Sequence, residues 1–132
     1  MDPVVHFEVP AKDMKRMSAF YEKCFDWKLQ DMGKDYGGYV VAHTTEMDEN
    51  RMPLKSGRIN GGFYMATDDP LSHSPSVVIS VEDVNASVKK VEAAGGKILR
   101  MPEPIPGVGM FCSFQDSEGN RMTMLQPEPM RK

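Results

Sequence analysis

The chain is short of most features that mark a function at sight. It has two cysteines in 132 residues, Cys24 and Cys112, and neither sits in a CxxC or Cys–His spacing. The expectation is two reduced, largely buried thiols, with a disulfide or a nucleophilic cysteine as the alternative. No apolar run approaches the roughly 20 residues needed to span a bilayer. The N-terminus, MDPVVHFEV, shows neither the basic nor the apolar region of a secretion signal. A cytoplasmic protein with no membrane partner is therefore expected. Basic clusters are also missing: Lys and Arg total 16 against 19 Asp and Glu, for a formal charge of −3. Nucleic-acid binding needs clustered cations and is not expected. The GVG at 107–109 lacks both common phosphate-cradling patterns and no helix follows it.

What is present is an ordinary globular composition, 40% hydrophobic and 27% charged. The length fits one domain over 1–132. Twelve methionines suit a pliable pocket or a loosely optimised core.

Residues 4–28 (VVHFEVPAKDMKRMSAFYEKCFDWK) organise the chain. Val5, Phe7 and Val9 alternate with Val4, His6 and Glu8, as a strand requires, and Pro10 is expected to end it. Asp13 is placed to cap a helix. On that helix Met14, Met17, Phe20, Tyr21 and Cys24 form one apolar stripe. Tyr21, Phe25 and Trp27 are expected in the core. A related stretch begins at Ser76: a shift of 70 lays His6 on Ser76, Asp13 on Asp83 and Leu29 on Leu99. Strands are expected near 27–29, 37–44, 58–66, 97–100, 110–115 and 121–126. The loop PEPIPGVG is too proline-rich to pair regularly, and the tail PEPMRK is expected to fray. Gly61 and Gly62 mark a bulge or a close approach.

The order is βαβββ–βαβββ, an α+β protein of two modules, about 1–67 and about 76–127. Together they are expected to form an eight-stranded curved sheet, a cup with helices outside.

Three stretches carry a resemblance: VVHFEVPAKDMKRMSAFYEKCFDW, PSVVISVEDVNASVKKVEAAGGKI and IPGVGMFCSFQDSEGNRMTMLQ. Together they resemble the vicinal oxygen chelate superfamily, in its lactoylglutathione-lyase-related branch. That superfamily includes glyoxalase I, extradiol dioxygenases, bleomycin- and fosfomycin-resistance proteins and methylmalonyl-CoA epimerase. The resemblance implies a homodimer. It also implies four His, Glu or Gln ligands around one divalent ion, two from each half. Those positions fall on His6, near Phe63 to within one or two residues, on Ser76 and on Thr123. Hydroxyls are poor ligands for such ions, so the expectation is no cofactor, with a divalent metal on His6 as the alternative.

His6 and Glu8, two apart on a strand, share a face and form the candidate catalytic pair. Glu8 is suited to accept a proton, and an imidazole ordinarily titrates near neutrality. Phe63, Ser76, Met110 and Thr123 are the candidate ligand contacts. The leading expectation is a small organic ligand bound in the cup without the usual metal centre. The alternatives are a lyase, isomerase or dioxygenase-type enzyme with an unorthodox metal set around His6 and Glu8, and a sequestering protein of the resistance type.

Overall fold

Two apolar helical stripes each need a sheet to cover, and the computed structural model supplies both. It describes residues 1–129. The elements run β1 (Val4–Ala11), α1 (Met14–Phe25), β2 (Lys28–Asp31), β3 (Val40–His43), β4 (Asn60–Met65), β5 (Ser76–Ser80), α2 (Val84–Ala93), β6 (Lys97–Ile98), β7 (Glu103–Ile105), β8 (Gly109–Gln115) and β9 (Arg121–Pro127). The α+β class and the repeated strand–helix–strands order are observed. The chain divides into two compact units, His6–Pro75 and Met1–Val5 with the residues from Ser76 onward.

In the His6–Pro75 unit the strand order is β2-β3-β4-β1, with β1 parallel to β4 and the other neighbours antiparallel. Asp13 caps α1 by accepting from Arg16 N at 3.0 Å. Asp26 ends it in the left-handed conformation, its N–H donating to Glu22 O. One face of the sheet meets α1. There Val40, Ala42 and Phe63 are buried, with Phe7, Val9, Met14, Met17, Tyr21, Trp27 and Leu29 packed on them. Tyr21 stacks on Trp27 with ring centroids 4.6 Å apart. Both lie in the core as expected, but Phe25 is 60% exposed. The reason is position: Phe25 is the last residue of α1, where its ring meets those of Tyr21 and Trp27 from the outside.

The other unit repeats the plan. Its strand order is β5-β9-β8-β6, with β5 parallel to β9. Asp83 caps α2 through Asn85 N and Ala86 N, and Gln126 Oε1 takes a bond from Val84 N at 3.0 Å. Val84 and Val88 of α2 pack with Val81, Cys112, Phe114 and Met124.

Several expectations are corrected. Cys112 is buried but Cys24 is exposed, because the stripe of α1 narrows before its last turn. β1 runs through Pro10 to Ala11, in register with Tyr64 and Met65. Pro10 is tolerated because bonds at this end are donated toward β1, as from Ala66 N to Ala11 O. The proline-rich segment does pair: β7 lies against β8, so nine strands form among the described residues where eight were expected. Pro104 pairs with Met110 on this edge strand, a place where a missing N–H is tolerated. β9 reaches Pro127, the first residue of the expected tail. Residues 130–132 of that tail lie outside the described residues.

Candidate functional site

The site is built on the sheet face of the His6–Pro75 unit that α1 does not cover. Parallel pairing puts partnered residues on one face, and β1 pairs His6 with Asn60 and Glu8 with Gly62. Across β4, Val41 pairs with Gly62, so Tyr39 two residues earlier shares that face. The face thus collects His6, Glu8, Tyr39, Asn60 and Gly62.

Tyr39 is delivered there by a tight turn. Met32 N donates to Tyr39 O at 2.9 Å, and Gly38 N to Gly33 O at 3.1 Å. Gly37 and Gly38 both take positive φ, 65° and 75°, a conformation that side chains resist. Asn60 anchors the far end of β3. Its Oδ1 accepts from Thr44 N at 2.7 Å and Thr45 N at 3.1 Å.

Gly62 is the seat of the site. A Cβ there would overlap the Tyr39 hydroxyl and ring. Because none is present, the phenol lies across β4 and its Oη meets His6 Nε2 at 3.0 Å. The same hydroxyl is hydrogen-bonded to the Glu8 carboxylate. Gly61 does the equivalent task on the opposite face, where the Phe7 ring fills the space a Cβ would take. The paired glycines are therefore two close approaches, one on each face.

Electrostatics follow from burial. Removal from water pushes the His6 imidazole down to about 4, so it is neutral at pH 7. Burial, then the Glu8 charge, then the Glu8 hydrogen bond push the Tyr39 phenol far above its ordinary range. Tyr39 keeps its proton at any physiological pH. The arrangement is a three-member chain, imidazole–phenol–carboxylate, with all members held by neighbouring strands.

Sequence reasoning found His6 and Glu8 on one face but missed Tyr39. The available signal was a glycine facing inward at 62 and a tyrosine at 39, just before β3. Two expected ligand contacts are corrected. Phe63 is 0% exposed and belongs to the α1 core, in contact with Tyr21 and Trp27. It alternates with Gly62 and so points away from His6. Met110 packs on the α2 core beside Cys112 and Phe114, again on the helix side.

Ser76 and Thr123 lie on the face of their own unit that is turned away from α2. Ser76 Oγ accepts from Arg121 Nη2 at 3.3 Å, and Thr123 Oγ1 is 3.4 Å from Ser113 Oγ. Both are buried. His73 is tied to Thr67 O through Nε2 at 2.6 Å. A hollow of about 470 Å³ in this second unit is lined by Glu92 and residues 96–101 and contains none of the candidate residues.

The fit to a metal can be judged position by position. Thr123 pairs with Val78. The matching place in the other unit, where Glu8 pairs with Gly62, puts the second ligand position on Gly62 rather than Phe63. The four positions then offer one imidazole, no side chain, and two hydroxyls. Divalent zinc, nickel or iron prefers imidazole, thiolate and carboxylate, so this set does not fit the usual centre. Among the described residues no group of three or more His, Cys, Asp or Glu is placed to hold an ion.

The two modules, a strand, a helix and three further strands in one and four in the other, each with its helix over its sheet, define an α+β protein built on a repeated unit. Residues 4–124 match the Glyoxalase/Bleomycin resistance protein/Dioxygenase superfamily, and the chain belongs to that family. It is 31% identical over 132 residues to a lactoylglutathione lyase of Oryza sativa, covering 94% of this chain and 44% of that one. It is 31% identical over 114 residues to a glyoxylase-like domain-containing protein of Didymella fabae, covering 86% and 84%. The chain spans about a third of a Mycobacterium bovis relative and under half of the rice enzyme. Among solved structures it superposes on methylmalonyl-CoA epimerase of Mycobacterium tuberculosis with a TM-score of 0.64 at 12% identity, covering 96% and 88%. A hypothetical protein of Bacillus halodurans gives 0.69 at 13%, covering 99% and 98%. These likenesses show the fold. Among the described residues no helix is long and apolar enough to cross a membrane.

Proposed function

We propose that this chain binds a small organic molecule on the face carrying His6 and Glu8, and that it works without the usual four-ligand metal centre. The observation that carries the reading is the Tyr39 hydroxyl lying over Gly62 and engaging both His6 and Glu8. A side-chain ligand at position 62 and this tyrosine cannot share the space. The neutral imidazole, the un-ionised phenol and the carboxylate form a mixed polar surface suited to a ligand with a few polar handles on an apolar body. The family likeness supports a cytoplasmic homodimer as its working form, which sedimentation of the purified chain tests directly.

The test combines metal analysis with ligand screening. The purified protein should carry far less than one divalent ion per chain, and zinc or nickel should not raise its melting temperature. Turnover of the glutathione–methylglyoxal hemithioacetal should stay at background. A bound ligand at 100 times its Kd should stabilise the fold by about 2.7 kcal/mol, and His6→Ala should abolish that gain. Near-stoichiometric metal that disappears in His6→Ala would sink the proposal.

A further inference from the structure

Proteins block exposed sheet edges, because outward N–H and C=O groups pair readily with another strand. The edge strand β7 is blocked in this way: Pro104 lies within it, with Pro102 and Pro106 on either side. The His6–Pro75 unit ends differently. Its outermost strand is β2, and no proline occurs between Pro10 and Pro53. Which groups β2 turns outward follows from its register. Met32 N donates to Tyr39 O, and Gln30 then pairs with Val41 and Lys28 with His43. Bonded residues alternate along an antiparallel pair. Leu29 and Asp31, with Trp27 just before the strand, therefore turn their backbone groups away from β3.

An exposed aromatic patch adjoins this edge. Phe25 and Phe20 of α1 are 60% and 54% exposed. Phe25 meets Trp27 with ring centroids 6.0 Å apart, and Phe20 meets Tyr21, which stacks on Trp27. Trp27 leads directly into β2. A standard interface covers about 800 Å² on each partner. A four-residue edge supplies only part of that, and the two rings add apolar area continuous with it.

We infer that β2 is the edge through which two copies of this chain join, antiparallel and two-fold about Leu29, with the aromatic patch of each copy at the seam. Charge and backbone pairing select this register. Centring on Lys28 sets the two copies of that lysine opposite each other, and like charges directly opposed are unfavourable. Centring on Gln30 carries Trp27 past the end of the partner strand. Centring on Leu29 lets all three outward residues pair, Leu29 with itself and Trp27 with the partner's Asp31 in both directions. Lys28 then faces the partner's Gln30, a neutral amide. Lys28 and Gln30 share the sheet face of His43 and Val41, which is the face of His6 and Glu8. The join thus makes one continuous open face, with the partner's Gln30 beside Lys28. This rests on the homodimer proposed above and says where it joins; it does not depend on the ligand.

The test is sedimentation velocity of the full chain over a range of concentrations. The native chain should be a reversible dimer. Gln30→Lys sets a lysine opposite Lys28 at two places in the seam and should raise the dissociation constant about tenfold. Lys28→Glu in that background turns both into opposite-charge pairs and should restore native or tighter association. Both positions are exposed, so the fold is not at stake. Cross-linking reads the register. With the exposed Cys24 changed to serine, Leu29→Cys lies opposite itself at about 5.5 Å between Cα atoms, within disulfide reach. It should oxidise to a covalent dimer, and Asp31→Cys, two residues off the axis, should not.

An unchanged dissociation constant in Gln30→Lys would overturn the inference, as would equal cross-linking from positions 29 and 31. Either result leaves the homodimer standing and removes only this edge. A native chain that stays monomeric at every concentration removes both.

Discussion

The Tyr39 hydroxyl lies where a side chain on Gly62 would begin. That single relationship places the phenol between His6 and Glu8 and leaves position 62 with no group to offer a ligand. The predictions below test the contacts that depend on it and the fold that supports it.

Gly62→Ala should be destabilising even though alanine favours extended backbone more than glycine does. The new methyl collides with the far end of a half-buried tyrosine, and overpacking of this kind costs roughly 1–3 kcal/mol. Gly61→Ala should cost at least as much, because its methyl would run into one side of the Phe7 ring. Denaturant midpoints of the two variants check this. Two neutral variants would mean that the close approaches are easily relieved.

Stability should fall as the pH drops through the range of His6. Its folded-state value is pushed down to about 4 from an ordinary 6.5. The unfolded chain therefore binds the extra proton first. The contribution is present in full above about 6.5 and is lost progressively as pH falls toward about 4, on the order of 3 kcal/mol at most. Equilibrium unfolding between pH 7 and pH 4 should show this slope, and His6→Gln should flatten it. A His6 resonance titrating near 6.5 in the folded protein would remove the prediction.

Phe63→Ala should be among the costliest single truncations in the chain. Phe63 is fully buried against the stacked rings of Tyr21 and Trp27, and such truncations cost about 3–5 kcal/mol. Phe25→Ser, on an exposed ring, should stay within about 0.5 kcal/mol. Comparable losses in the two would contradict the burial seen here.

Asp83→Ala should remove the cap of α2. Asp83 Oδ1 accepts from Asn85 N at 3.0 Å and Ala86 N at 3.2 Å. The expected loss is about 0.5–2 kcal/mol. Asp13→Ala should fall at the low end of that range, since Asp13 accepts only from Arg16 N among the described hydrogen bonds. Thermal unfolding of the pair gives the comparison.

The repeat was legible in the sequence because it is written in local chemistry. Asp13 and Asp83 each precede a helix whose apolar residues recur at three and four, and strand alternation fixed which residues share a face. Those rules depend only on near neighbours, so they put His6 with Glu8 and Ser76 with Val78 before any contact was known. Alternation does not say which face a helix will cover. Alternation therefore leaves the face of Phe63 and Met110 undetermined, and the structure turns both toward the helices, because large apolar side chains gain most where water is excluded.

Only the tertiary structure decided the composition of the site. Tyr39 reaches His6 and Glu8 through a turn and two strand pairings, and the residue that admits it is a glycine that contributes no atoms to the contact. No local pattern records a space left for a side chain 23 positions away in the chain. The sequence alone determined the modules, their caps and the polar pair on β1. Strand register, which brings Gly62 beside Glu8 and Tyr39 over both, determined what that pair can do.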